Sequence, residues 1–164
     1  MAKPRLFRFS LRLLLILVTV FCLWFGKLAI DARKQREAVE WIWKNQGIAM
    51  TENEFSKTIV IVDLIFRNAR APVRDISPLA HLPDVTEINL QDNGITDVTP
   101  LARMSELEYA FLARNRITDP SPLIKLTHLR HLDVSKNPIS KEDLARLKKA
   151  LPKCRIEHGN GEVL

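Results

Sequence analysis

Few residues in this chain have types and spacing suited to chemistry. His128 and His131 lie three apart with Asp133 close by, but a metal centre needs three or four ligands converging on one ion. His128 is expected in a turn and His131 on the outer face of a strand, so the two do not converge. Cys22 falls in an apolar run and Cys154 at an inward core position, which prevents a disulfide between them. Neither has the basic surroundings that activate a thiol. There is no phosphate-binding glycine loop, no nucleophile elbow and no supported carboxylate pair. The expectation is a chain without catalytic residues, cofactor, metal or small-molecule substrate. Recognition chemistry remains. Tyr109 and Phe111 sit among Glu87, Asn89, Gln91, His131, Asp133 and Arg155, the mixture of exposed aromatics and polar groups found at interface hot spots. The bland alternative is that the two rings pack on each other or beneath a loop.

The elements that must hold these residues come from a repeat. Residues 75–96, 97–118 and 119–140 align without a gap at a period of 22. Apolar residues recur at fixed offsets: Leu79, Leu101, Leu123; Leu82, Met104, Leu126; Val85, Leu107, Leu129; Ile88, Ala110, Leu132; Leu90, Leu112, Val134; Ile95, Ile117, Ile139. Ile88 and Leu90, two apart, face inward from a short strand while Glu87, Asn89 and Gln91 point outward. The spacing of three through Leu79, Leu82 and Val85 suits a tight helical or 3₁₀ turn on the opposite side of the coil. Pro78, Pro100 and Pro122 are tolerated at the start of that turn, where an N–H has no partner in any case.

The consensus LxxLxxLxxLxLxxNxI resembles the leucine-rich repeat, in its 22-residue, internalin-like bacterial form. The resemblance implies an α/β fold: a short solenoid with parallel strands on a concave face and helical turns opposite. It also implies that the concave face binds another protein. One such coil buries its apolar row only against a neighbour, so about three are the minimum for stability. The outward strand positions should then stack into columns: Glu87, Tyr109, His131; Asn89, Phe111, Asp133; Gln91, Ala113, Ser135, with Arg155 and Glu157 on a final strand.

Asn93, Asn115 and Asn137 fall where each strand bends into its turn. A buried amide there can serve backbone groups that the bend removes from the ladder, so these three are expected to form a structural ladder. None begins a glycosylation sequon. Residues 141–164 read as a C-terminal cap, with an amphipathic helix through Leu144, Leu147 and Leu151, inward Cys154 and Ile156, and a frayed tail from His158. Residues 58–74 read as an irregular first coil whose strand spans residues 58–64 and in which Asn68 and Val73 loosely echo the repeat.

The N-terminus is of another kind. Residues 1–12 form a basic flank with Lys3, Arg5, Arg8 and Arg12, and residues 13–30 an apolar run interrupted only by Lys27 near its end. Such a run spans about 27 Å as a helix, close to the roughly 30 Å hydrocarbon core, with Trp24 and Phe25 as interfacial aromatics. A cleaved signal peptide would need small residues one and three positions before the cut. Trp24 and Ile30 occupy the third position ahead of the cuts after Gly26 and Ala32, which favours a retained anchor. The basic flank places the N-terminus in the cytoplasm and the repeats outside it. Residues 8–42 resemble the head of bacterial proteins with one anchor and a downstream repeat array. Residues 31–57 read as a juxtamembrane helix, stopped near Gly47, and an N-terminal cap in which Trp41 and Ile42 cover the first coil.

The formal charge of +6 does not indicate nucleic acid. Residues 1–36 carry a net +7 and the remainder a net −1, whereas a nucleic-acid binder concentrates positive charge on its folded domain. The reading is a single-pass, membrane-anchored, non-catalytic module that binds another protein. The alternative is a structural protein that self-assembles through its solenoid ends or juxtamembrane helix.

Overall fold

The computed structural model describes residues 11–51, 59–63, 72–159 and 162–163. The chain forms two compact units, Met1–Lys34 and Gln35–Leu164. The first unit consists of most of helix α1, Leu11–Lys44, a single uninterrupted helix of 34 residues. Gly26, midway along it, has open space around it and does not break it. The side chains from Leu15 to Ile30 are exposed, and the helix is long and apolar enough to cross a membrane. The division between an apolar run ending at residue 30 and a charged helix after it is therefore one of composition only. The helix continues without a break, and its sequence contains no proline.

Among the described residues of the second unit, seven strands form one sheet in sequence order. The five strands β2, Ile59–Asp63, β3, Glu87–Asn89, β4, Tyr109–Phe111, β5, His131–Asp133, and β6, Arg155–His158, are parallel. Short antiparallel strands close both ends: β1, Ile48–Thr51, beside β2, and β7, Glu162–Val163, beside β6. Each regular coil turns back through a 3₁₀ helix, Ser77–His81, Thr99–Arg103 and Ser121–Lys125, with proline in its first two positions. Inside lies one stack of buried side chains, among them Leu79, Ile88, Leu101, Ala110, Leu123, Leu132 and Ile156. The 22-residue offsets place equivalent positions opposite each other: Ile88 pairs with Ala110, and Ala110 with Leu132.

The N-terminal end departs from that regularity. β2 pairs Ile61 with Glu87, an offset of 26 residues, while Val73 gives its N–H to Asn93 as Ile95 does to Asn115, an offset of 22. Four extra residues are thus accommodated between β2 and Val73. Asn68, Thr58 and Leu64 lie outside the described residues. α1 ends in a Schellman turn, in which Gly47 N–H bonds to Ile42 O at 2.9 Å and Gln46 N–H to Trp43 O at 3.0 Å. The left-handed residue is Gln46, with φ 60°, rather than the glycine after it. Ala38 and Ile42 are buried in the core, with Val39 and Trp41 packed against it. The span expected to be only helix and cap also contains strand β1. Its three-residue alternation Ile48-Ala49-Met50 is too short to register as a periodicity.

The C-terminal end is regular. Helix α2, Lys141–Ala150, is capped by Ser140, whose hydroxyl accepts the Asp143 N–H at 3.0 Å. Leu147, Leu151 and Cys154 are buried. The tail does not fray throughout, since Glu162–Val163 pairs with β6 as β7: an exposed strand edge offers backbone partners that outweigh the tail's low apolar content.

Candidate functional site

The outward positions form two straight columns, because strands of parallel register carry equal side-chain parity. Met50, Ile61, Glu87, Tyr109, His131 and Arg155 follow one another in the first column. Ile48, Asp63, Asn89, Phe111, Asp133 and Glu157 form the second. The columns are thus longer than the repeat alone indicated, and their first members, Ile48 and Met50, are exposed apolar side chains. Sequence reasoning missed them. The available signal was that an apolar strand at residues 59–63 needs a partner on its other edge.

Tyr109 and Phe111 lie on adjacent columns but play different parts. Phe111 is half-buried and packs on the His131 ring at a centroid separation of 5.4 Å, tilted by 39°. Tyr109 is 37% exposed. The expected exposed pair is therefore one exposed phenol and one ring spent partly on its neighbour, because the 22-residue register sets Phe111 diagonally to His131. Ala113, expected to be exposed, is buried, while Gln91 and Ser135 are half-buried. Charges close the C-terminal side: Arg155 Nη2 lies 3.0 Å from Glu157 Oε1, and His131 Nε2 lies 3.9 Å from the same oxygen.

Below the columns, the three asparagines join successive coils. Asn115 Oδ1 accepts the N–H groups of Asn93 at 3.2 Å and Ile95 at 2.9 Å. Its Nδ2 donates to Leu90 O at 2.8 Å and Leu112 O at 2.9 Å. Asn137 accepts from Ile117 N–H at 3.0 Å and donates to Leu112 O and Val134 O. Asn93 accepts from Val73 N–H and donates to Gln91 O. Each of the three amides thereby serves its own coil and the preceding one, holding the outer columns at fixed spacing. Among the described residues no buried side-chain nitrogen or oxygen lacks a partner.

On the far side, Asp75, Asp97 and Asp119 each accept the N–H two residues on, from Ser77, Thr99 and Ser121, at 2.9, 2.8 and 2.9 Å. These turns lead into the 3₁₀ helices. The Ser77 backbone hydrogen bond, then its side chain, holds the Asp75 carboxyl below its ordinary range. The Ser121 side chain, then its backbone, does the same for Asp119.

The residues first considered for chemistry stay apart. His128 Nδ1 lies 2.9 Å from Ser105 O, whereas His131 faces outward beside Phe111. Burial pushes the Cys154 thiol up to about 11, away from the thiolate form. Among the described residues, no three His, Cys, Asp or Glu side chains are placed to hold a metal ion.

Comparison with known proteins follows this geometry. Residues 105–149 match the family model of leucine-rich repeats in two copies, and residues 81–98 match a single leucine-rich repeat. No curated protein matches the chain. Among solved structures, internalin InlF of Listeria monocytogenes is 32% identical with a TM-score of 0.52, over 62% of this chain and 28% of its own. Internalin C2 of the same organism is 32% identical with a TM-score of 0.46, over 53% of this chain and 38% of its own. A leucine-rich-repeat protein of Leptospira interrogans is 24% identical with a TM-score of 0.41, over 52% and 29%. The chain thus spans under two fifths of either internalin's length.

Proposed function

Starting from a leucine-rich-repeat solenoid of the internalin-like type, we propose that this chain is a membrane-anchored, non-catalytic recognition module that binds a protein through the outer face of its strands. A leucine-rich-repeat fold supports protein–protein interaction because neighbouring coils present an extended row of side chains on a rigid sheet. The observation that carries the reading is the pair of columns on β1 to β6. They combine an exposed tyrosine, an apolar start at Ile48 and Met50 and charged groups at Glu87, Asp133 and Arg155. Glu87, Asn89, Gln91, Tyr109, Phe111, His131, Asp133 and Arg155 are the proposed contact residues. The apolar part of α1 serves as the anchor, with the N-terminus in the cytoplasm and the repeats outside it.

The test is recovery of crosslinked partners from native membranes by the wild-type chain and by Tyr109→Asp, with folding verified by circular dichroism. A partner lost with the variant supports the reading; the same partners from both chains oppose it. A C-terminal reporter active only in the cytoplasm would overturn the orientation. The competing reading is a structural protein assembling through its solenoid ends. It is weakened by β1 and β7, which occupy both edges of the parallel sheet, and by the irregular register between Met50 and Thr51. Oligomers that grow with concentration in detergent solution would restore it.

A further inference from the structure

Just past the strand ends, where the coils bend, lies a depression of about 470 Å³ lined by Arg74, Asp92, Gly94, Arg114, Arg116 and Lys136. Among the described residues four cations face one carboxylate, and that carboxylate is taken. Arg114 grips Asp92 through Nε at 2.5 Å and Nη2 at 2.6 Å, and reaches Gln91 Oε1 at 3.3 Å. Arg74, Arg116 and Lys136 have no carboxylate partner among the described residues. Gly94, with φ +71°, leaves bare backbone beneath Arg74: a side chain there would begin 3.9 Å from Arg74 Nε. Like charges crowded into one recess repel, and an anion that enters relieves the repulsion.

The size and layout of the recess specify the anion. Asp92, Arg114 and Lys136 occupy one repeat position on three successive coils, each with a left-handed backbone at φ 62°, 55° and 55°, and coils are spaced by about 4.8 Å. Arg74, Arg116 and Lys136 belong to three different coils, so the remaining positive charge is drawn out along the array. The recess is open along this row rather than closed around a single ion. The Arg114–Asp92 fork also shows the local geometry gripping a carboxylate through two nitrogens. We infer that this recess seats an acidic segment of the partner protein, with Arg74, Arg116 and Lys136 holding successive carboxylates. The inference rests on the protein-binding reading above and adds the charge of the partner and a second contact beside the columns.

The experiment uses the full chain in non-ionic detergent micelles and a fluorescein-labelled octaglutamate peptide, followed by anisotropy at low and physiological salt. The variant Arg74→Gln/Arg116→Gln/Lys136→Gln should weaken binding by about tenfold or more. The charge-matched control Lys125→Gln/Lys141→Gln/Lys149→Gln should change it by less than about twofold. Asp92→Asn, which suits the left-handed backbone and releases Arg114, should tighten binding severalfold. Equal losses in the two triple variants, or no gain from Asp92→Asn, would overturn the inference. So would displacement of the peptide by inorganic phosphate at equal charge, or by phosphatidylserine vesicles in preference to it. Co-purification separates this inference from its parent. If the recess variant keeps the membrane partner while Tyr109→Asp loses it, the acidic segment fails and the outer-face reading stands. If both keep it, the outer-face reading fails.

Discussion

The three regular coils and the N-terminal end of the solenoid solve one problem in different ways. From residue 75 to 140 each coil buries the same positions against the next, and one asparagine per coil ties the bend. At the N-terminal end, Ala38 and Ile42 from a helix and the antiparallel strand β1 cover the last apolar surface. β2 stands 26 residues rather than 22 before its neighbour. The difference shows that repeat order is needed only where a coil has neighbours on both sides; an end needs cover, and any element with an apolar face supplies it.

Asn115→Leu should have the largest effect, because it strands the N–H groups of Asn93 and Ile95 and the carbonyl of Leu90 together, while Leu112 O keeps the Asn137 amide. At about 1–3 kcal/mol for each stranded buried group, with some relaxation, urea unfolding should register a loss on the order of 3 kcal/mol or more. A wild-type midpoint would break the view that the asparagines hold the array. Ile42→Ala should cost about 2–4 kcal/mol as a cavity, but locally. Native-state hydrogen exchange should open β1 and β2 while strands β4 and β5 keep their protection, as expected of coils that interact only with neighbours. Uniform loss of protection would erase the distinction between end and middle.

The smallest effect is on pH. Asp75 and Asp119 have carboxyls held below the ordinary range in the folded chain. Their contribution is present above the unfolded value near 4 and is lost as pH falls through the folded values. Asp119→Asn should therefore make unfolding slightly less sensitive to acid below about pH 4, measured as the slope of the urea midpoint against pH. An unchanged slope would remove the Asp turns from the account.

The sequence disclosed the middle of the molecule well and its ends less well, for a physical reason. Ile88, Ala110 and Leu132 had to share a register because each packs on the next, so a period was visible. Ile48, Met50 and Gln46 satisfy constraints met only once, a strand edge and a helix stop, and leave no period behind. The same holds for the site. The columns through Tyr109 and His131 followed from the repeat, but the stacking of Phe111 on His131 depends on the lateral offset between coils. The basic recess joins Arg74, Gly94 and Lys136, which occupy three different repeat positions, so no single offset draws them together.

The most direct test of the proposed protein-binding surface is a photo-crosslinking residue placed at position 109 on the strands or at position 125 on the opposite 3₁₀ turn, irradiated in intact cells. The account predicts a discrete protein adduct from position 109 and none from position 125. Adducts from position 125 alone would contradict it and move the working surface to the other side of the solenoid.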